Sequence, residues 1–157
     1  MDLIYYPNKI LNEKSIESER NMEIDTLISK MYVTMRQHNG VGLSAIQVGI
    51  NKRIFILDID GVKQTVINPS VISQSNDFSY EIEGCLSVPD TWTRIRRPES
   101  VIVSFQDENG TNHERKYSGL WSRAFQHEYD HLEGLTFFDR MNELQRNSVL
   151  KKYNRKR

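Results

Sequence analysis

The 157 residues contain one cysteine, Cys85, so no internal disulfide is available, and a thiolate meant to hold a metal needs a reducing compartment. No apolar run approaches the roughly 18 residues of a membrane span. The start, Met1-Asp2-Leu3-Ile4-Tyr5, lacks the basic-then-apolar order of a secretion signal. An excess charge of either sign is missing as well: Lys+Arg and Asp+Glu are both 21, which argues against DNA binding through bulk charge. Glycines occur in Asn39-Gly40-Val41-Gly42-Leu43-Ser44-Ala45-Ile46-Gln47-Val48-Gly49, yet neither the Gly-Lys-Ser/Thr of a P-loop nor the three spaced glycines of a dinucleotide site is present. Repeats and Pro-, Gly- or Ser-rich linkers are also lacking. These absences predict one domain over residues 1–157 in a soluble cytoplasmic protein that neither spans a membrane nor binds DNA. An organelle is the alternative address.

What is present points to a metal. In His127-Glu128-Tyr129-Asp130-His131 two imidazoles stand four residues apart, which on a helix places them on one face where they grip a single ion. Glu128 between them can take a proton from a water that the ion activates. The preceding Leu120-Trp121-Ser122-Arg123-Ala124-Phe125 carries apolar residues at helical spacing, so this helix is expected to be buried enough to shield the site. Catalytic sites commonly use three protein ligands and keep one position open. Downstream, Glu133 is too close to fold back, and Glu143 follows a loop-like Phe137-Phe138-Asp139-Arg140 with no histidine nearby. Upstream, Cys85 in Glu83-Gly84-Cys85-Leu86-Ser87-Val88-Pro89 completes a Cys-His-His set. Gln47 is a neutral amide donor able to meet a developing oxyanion.

Ile24, Leu27, Ile28, Met31 and Met35 recur at helical spacing behind the cap residue Asn21, predicting a helix that ends near Asn39-Gly40. Arg53–Ile59 and Lys63–Ile67 read as strands around a turn at Asp60-Gly61. Ser100–Phe105 and His113–Tyr117 form a second hairpin around Glu108-Asn109-Gly110, and residues 73–77 read as a loop. The class is α+β, with short, mostly antiparallel strands around a central metal-bearing helix. His38 and His113 are expected to face solvent, Tyr5 and Tyr6 to pack at an edge, and the basic Lys151, Lys152, Arg155, Lys156 and Arg157 to be a solvated, frayed tail. With those five set aside, 16 basic residues face 21 acidic ones, so the body is mildly acidic.

Three segments in order, Gly40-Val41-Gly42-Leu43-Ser44-Ala45-Ile46-Gln47, Glu83-Gly84-Cys85-Leu86-Ser87 and Gln126-His127-Glu128-Tyr129-Asp130-His131, resemble the motifs of the peptide deformylase family. The likeness extends to Tyr6-Pro7-Asn8-Lys9-Ile10-Leu11 and Val66-Ile67-Asn68-Pro69, and so covers nearly the whole chain. It implies removal of the formyl group from N-formylmethionyl peptides by one divalent ion, Fe²⁺ as the working metal with Zn²⁺ as another occupant, held by Cys85, His127 and His131. Glu128 is then the general base, while Gln47 and the Leu86 N–H meet the oxyanion. Val41 and Gly42 hold the peptide backbone, and Val41, Leu120, Arg123 and Ala124 shape the methionine pocket. A monomer is expected, with ribosome contact through the basic tail as a further implication. Two departures stand out. Ser44 replaces the usual first alanine after the leucine, and Trp92 replaces an arginine common at the cleft mouth. Two other readings follow from the helix motif alone: a zinc metalloprotease, and an inactive peptide- or ribosome-binding domain with a structural metal.

Overall fold

The computed structural model describes residues 1–157. Asn21 caps the first helix, α1 (Met22–Gln37), its side chain accepting from the Ile24 N–H at 3.0 Å, and Glu23 and Asp25 place negative charge at the positive end of the helix dipole. Ile24, Ile28, Met31 and Met35 form its buried stripe, as their spacing predicts. The strands follow as β1 (Gly42–Ser44), β2 (Ile54–Ile59), β3 (Val62–Gln74), β4 (Phe78–Cys85), β5 (Val88–Pro98), β6 (Ser100–Gln106) and β7 (Asn112–Ser118). Five of them form one sheet in the order β1-β2-β3-β6-β7, and β4 pairs with β5 in a separate two-stranded sheet; every pairing is antiparallel. Asp60 and Gly61 both take positive φ, 53° and 79°, the conformation that a two-residue hairpin turn requires.

Some expectations need correction. The strand expected to stop at Ile67 runs to Gln74, so the loop is confined to residues 75–77. Asn68 takes a positive φ and Pro69 lacks an N–H, but register shifts after Ile67 and after Val71 let pairing to β6 resume. Asn68 is itself held, accepting from the Ser18 N–H at 2.8 Å and donating to the Ser18 carbonyl at 2.9 Å. The segment around Cys85 forms the closed end of the β4–β5 hairpin. The tail is no frayed end: Asn142 caps a helix, α3 (Glu143–Arg155), whose Tyr153 is buried and donates its hydroxyl to the Tyr6 carbonyl at 2.9 Å. Lys156 reaches the Asp90 carbonyl, and the Arg157 guanidinium lies over Tyr153 and Tyr5.

The metal-motif helix is α2 (Gly119–Leu132), and ten of its fourteen residues are buried. It packs on β1 and β2 of the large sheet and touches β5 of the hairpin, so both sheets meet at it. Phe125 lies in the core with Phe55, Leu57, Val103 and Phe105, while α1 closes a second core over Leu43, Ile54 and Ile56. A third core joins Ile95, Phe137, Phe138, Met141 and Tyr153, with Tyr6 packed on it. Phe137–Arg140 is accordingly a short 3-10 turn with its two rings buried, not a loop. No helix is long and apolar enough to cross a membrane.

Candidate metal centre

Helical spacing on α2 turns both histidines toward the end of β4, where Cys85 sits just before the β4–β5 turn. The ligand atoms of Cys85, His127 and His131 lie within 4.8 Å of one another, and Cys85 Sγ is 3.4 Å from His131 Nε2. One soft thiolate and two imidazoles in a nearly closed site suit a divalent transition metal, so the donor set fits the ion that the spacing implies. His127 Nδ1 donates to Glu83 Oε2 at 2.8 Å, which orients the ring and leaves Nε2 as the nitrogen whose lone pair a metal can take. Burial, with the neighbouring His127 charge, pushes the His131 imidazole down to about 3, so it stands neutral as a ligand must. Burial also opposes charge on His127, but Cys85 and Glu83 outweigh it and hold that group well above its ordinary value.

Behind the ligands lies a network that motif reasoning missed. Burial alone would raise the Glu83 carboxyl, yet bonds from His127 and Arg97 hold it well below the usual range. Arg97 bonds Glu83 through Nε and, at 3.0 Å, through Nη2, and reaches Asp130 Oδ2 at 2.9 Å. Asp130 in turn accepts two bonds from Arg140. Arg123 donates to Glu83 Oε1 at 2.8 Å and to the Ile95 carbonyl at 2.8 Å, so its charge is spent inside the protein. The signal for Glu83 and Asp130 was present, since both stand inside the metal motifs, but their partner Arg97 lies in a strand whose pairing the sequence did not reveal.

Glu128 is 5% exposed, and burial raises its carboxyl, partly offset by the His127 charge and the Ser44 hydrogen bond. Ser44 Oγ donates to Glu128 Oε2 at 2.7 Å. The hydroxyl that an alanine would lack is therefore satisfied on the expected base. Glu128 Oε1 lies 2.5 Å from where a Cβ on Gly42 would stand, so the close approach of β1 to α2 needs glycine there. Gln47 is fully enclosed: its Oε1 accepts from the Ser44 N–H at 2.9 Å, and its Nε2 donates to Ser87 Oγ at 3.1 Å and points at Cys85 Sγ at 3.7 Å.

A cleft of about 470 Å³ opens above these groups between β1 and the β4–β5 hairpin. Val41, Gly42, Leu86, Leu120, Arg123 and Ala124 all line it, together with Cys85, His127 and Glu128, whereas Gln47 and His131 sit behind its wall. Val41 gives its carbonyl to the Asp58 N–H at 2.9 Å, so alternation turns the peptide groups of Gly42 to the open edge of β1, an edge strand of its sheet. Trp92, 74% exposed, lies across Gly84 at the mouth; a Cβ on Gly84 would stand 2.6 Å from the indole. His38 is exposed but lines the cleft, and His113, expected to face solvent, is half-buried, paired with Asp107 at 2.7 Å and stacked on Phe105.

Comparison with known proteins agrees with this geometry. The family model described as polypeptide deformylase matches residues 1–147. A peptide deformylase of Treponema pallidum is 40% identical over 136 residues, 87% of this chain and 84% of that protein. One from Borreliella burgdorferi is 38% identical over 160 residues, 100% of this chain and 97% of that protein. Among solved structures, Plasmodium falciparum peptide deformylase superposes with a TM-score of 0.92 at 36% identity, covering 98% of this chain and 94% of that one. The Synechococcus elongatus enzyme, crystallised with actinonin, gives 0.93 at 38% identity, covering 98% and 85%. With the sequence match running from residue 1 to residue 147 and the structural match extending over nearly the whole chain, this protein belongs to the peptide deformylase family.

Proposed function

We propose that the chain removes the formyl group from N-formylmethionine at the start of new polypeptides, releasing formate. The observation that carries this reading is the meeting of Cys85, His127 and His131 within 4.8 Å, beside the buried Glu128 at the floor of an open-ended cleft. Cys85, His127 and His131 would hold a divalent ion, which when bound would lower the pKa of a water from about 15.7 to roughly 7 and act as a Lewis acid. Glu128 takes up the water's proton and returns it to the leaving amine. The Leu86 N–H, which no carbonyl of the chain engages, donates to the oxygen that gains charge, and Gln47 Nε2, which points at Cys85 Sγ from behind the cleft wall, joins it by giving up that longer contact while keeping Ser87. The peptide lies as an added strand on the open edge of β1, bonded chiefly through the peptide groups of Gly42, since the Val41 carbonyl is taken by the Asp58 N–H and Val41 offers the strand its side chain.

Val41, Leu120 and Ala124, with the stem of Arg123, form the side-chain pocket for methionine; the Arg123 head is turned away to Glu83 and supplies no charge to substrate. Exclusion of acetyl follows from the space that an extra methyl would need beside the metal. Fe²⁺ is the working metal in this reading, with Zn²⁺ as a competing occupant, since a thiolate and two imidazoles suit either. Ligands, base and pocket all come from one chain, which supports a single catalytic unit acting as a monomer. Lys151, Lys152 and Arg155 on α3 are the candidates for contact with ribosomal RNA. Against the protease alternative, the donor that joins the histidines is the upstream Cys85.

Anaerobic assay of formate release from a formyl-methionyl tripeptide, with metal analysis of the same sample, tests the reading. The wild-type chain should release one formate per peptide, and Glu128→Ala should keep its metal while losing turnover. No formate from a metal-loaded wild-type sample, or internal cleavage of an unstructured formylated protein that Glu128→Ala abolishes, would refute it.

A further inference from the structure

We propose that Ser44 is a positioning residue for proton transfer: its hydroxyl holds one oxygen of the Glu128 carboxylate, leaving the other oxygen to carry the proton. The inference rests on the deformylase reading above and concerns a position where the chain departs from the family's usual alanine. Ser44 is fully buried, and its Oγ lies 2.7 Å from Glu128 Oε2 and 3.1 Å from the Glu128 carbonyl, 84 positions away in sequence. Oε2 is therefore occupied. Oε1 faces Gly42, at the cleft wall where the substrate strand is placed. The two oxygens are chemically equivalent in the free side chain and inequivalent here.

The terminal torsion of a glutamate is broad and roughly two-fold, so a carboxylate without a partner samples orientations in which neither oxygen is aimed. Ser44 removes that freedom because it is itself fixed. Its backbone pairs opposite Phe55 in the β1–β2 ladder, and its N–H donates to Gln47 Oε1 at 2.9 Å. One residue thus orients the expected base through its side chain and the expected oxyanion amide through its backbone. In the reaction, Oε1 takes the proton from water and gives it to the departing amine, while Ser44 keeps its own hydrogen throughout. The proton count closes without any exchange at Ser44.

Ser44→Ala and Ser44→Thr in the metal-loaded enzyme test this, each measured for kcat, KM, bound metal and melting temperature. Ser44→Ala should lose about tenfold in kcat, about 1.4 kcal/mol of barrier, with KM within about twofold and one metal still bound. Ser44→Thr, which keeps the hydroxyl, should recover most of the loss. A second readout needs no turnover. In metal-free protein labelled with ¹³C at glutamate carboxyls, the Glu128 signal, assigned by its loss in Glu128→Gln, should move in Ser44→Ala and return toward wild type in Ser44→Thr. An unchanged kcat and carboxyl signal in Ser44→Ala, a loss of kcat only in step with lost metal, or a threonine variant that is stable and loaded yet as slow as alanine would each overturn the proposal. Absence of formate release by wild type would refute the deformylase reading instead, and the carboxyl signal would still decide the Ser44 contact.

Discussion

Replacing Glu83 with glutamine changes one heavy atom and puts the whole support of the metal helix under test. The carboxylate accepts from His127 Nδ1, from Arg97 through two nitrogens and from Arg123, and it is 6% exposed. A glutamine of the same shape offers one acceptor oxygen and one NH₂, so whichever way it turns, a donor meets donors. Breaking a buried ion pair from one side costs about 3–5 kcal/mol. The lower end applies here, because Arg97 keeps Asp130 and Arg123 keeps the Ile95 and Ser79 carbonyls. At roughly 2–4 °C per kcal/mol for a chain of this length, the metal-free variant should melt about 6–12 °C below wild type near neutral pH. Loss of the carboxylate behind His127 should also weaken metal binding by about 10–100-fold in a chelator competition. The pH dependence has a defined sign. The folded Glu83 carboxyl lies below its unfolded value, so its stabilisation is complete above the ordinary carboxylate range and is lost as pH falls toward the folded value. The gap between the two melting curves should therefore be widest at about pH 5–6, narrow below about pH 4 as the Glu83 contribution fades, and narrow again above about pH 6.5, where the unfolded chain no longer protonates the His127 imidazole that Glu83 helps keep charged in the fold. Equal melting temperatures with equal metal affinity, or a gap indifferent to acid, would refute the assignment of Glu83 as the hub.

Cys85→Ser should lose metal and activity together, and a variant that retains one ion per chain at unchanged affinity would remove Cys85 from the ligand set. Gly42→Ala places a methyl 2.5 Å from Glu128 Oε1; a displacement on the order of 1 Å there should lower kcat/KM about a hundredfold while metal content holds, and wild-type kinetics would contradict the packing. For the tail, reversing the charges of Lys151, Lys152 and Arg155 should flatten the salt dependence of ribosome association by a slope of about 2–3 with tripeptide turnover unchanged; identical salt slopes would dismiss the contact. Deleting residues 151–157 is the wrong test, because it also strips the buried Tyr153 from the third core and should lower the melting temperature.

The histidine pair, the lone thiol and α1 were legible because each rests on short-range spacing: i, i+4 for the ligands, 3.6-residue periodicity for Ile24 to Met35. The β6–β7 hairpin was readable from its Asn-Gly turn. The β4–β5 hairpin was not, for a physical reason. Its inward positions include Glu83, Thr91 and Arg97, so alternation of apolar and polar residues, the usual mark of a half-buried strand, is inverted by an ion network. That network is readable only once the partners are together, since Glu83, Arg97, Asp130 and Arg140 come from different elements. The extension of β3 past Pro69 was hidden by the residue that ordinarily ends a strand. In α3, mean polarity masked a helix held by the single buried side chain of Tyr153. At Ser44 the sequence exposed the need for a partner, and only the packing of β1 on α2 identified it as Glu128.

The two tryptophans occupy very different settings. Trp121 is half-buried and stacked on Tyr117 at 5.7 Å, on the far side of α2, against the core that holds Phe125. Trp92 lies in water at the rim of the cleft, its ring resting on Gly84. An entering peptide displaces solvent from only one of these indoles, so the enzyme carries an optical probe of occupancy in its own wall. Emission from Trp92, with Trp121 as a constant internal reference, makes the arrival and departure of unlabelled peptides visible in a stopped-flow trace, separate from the bond that is broken afterwards.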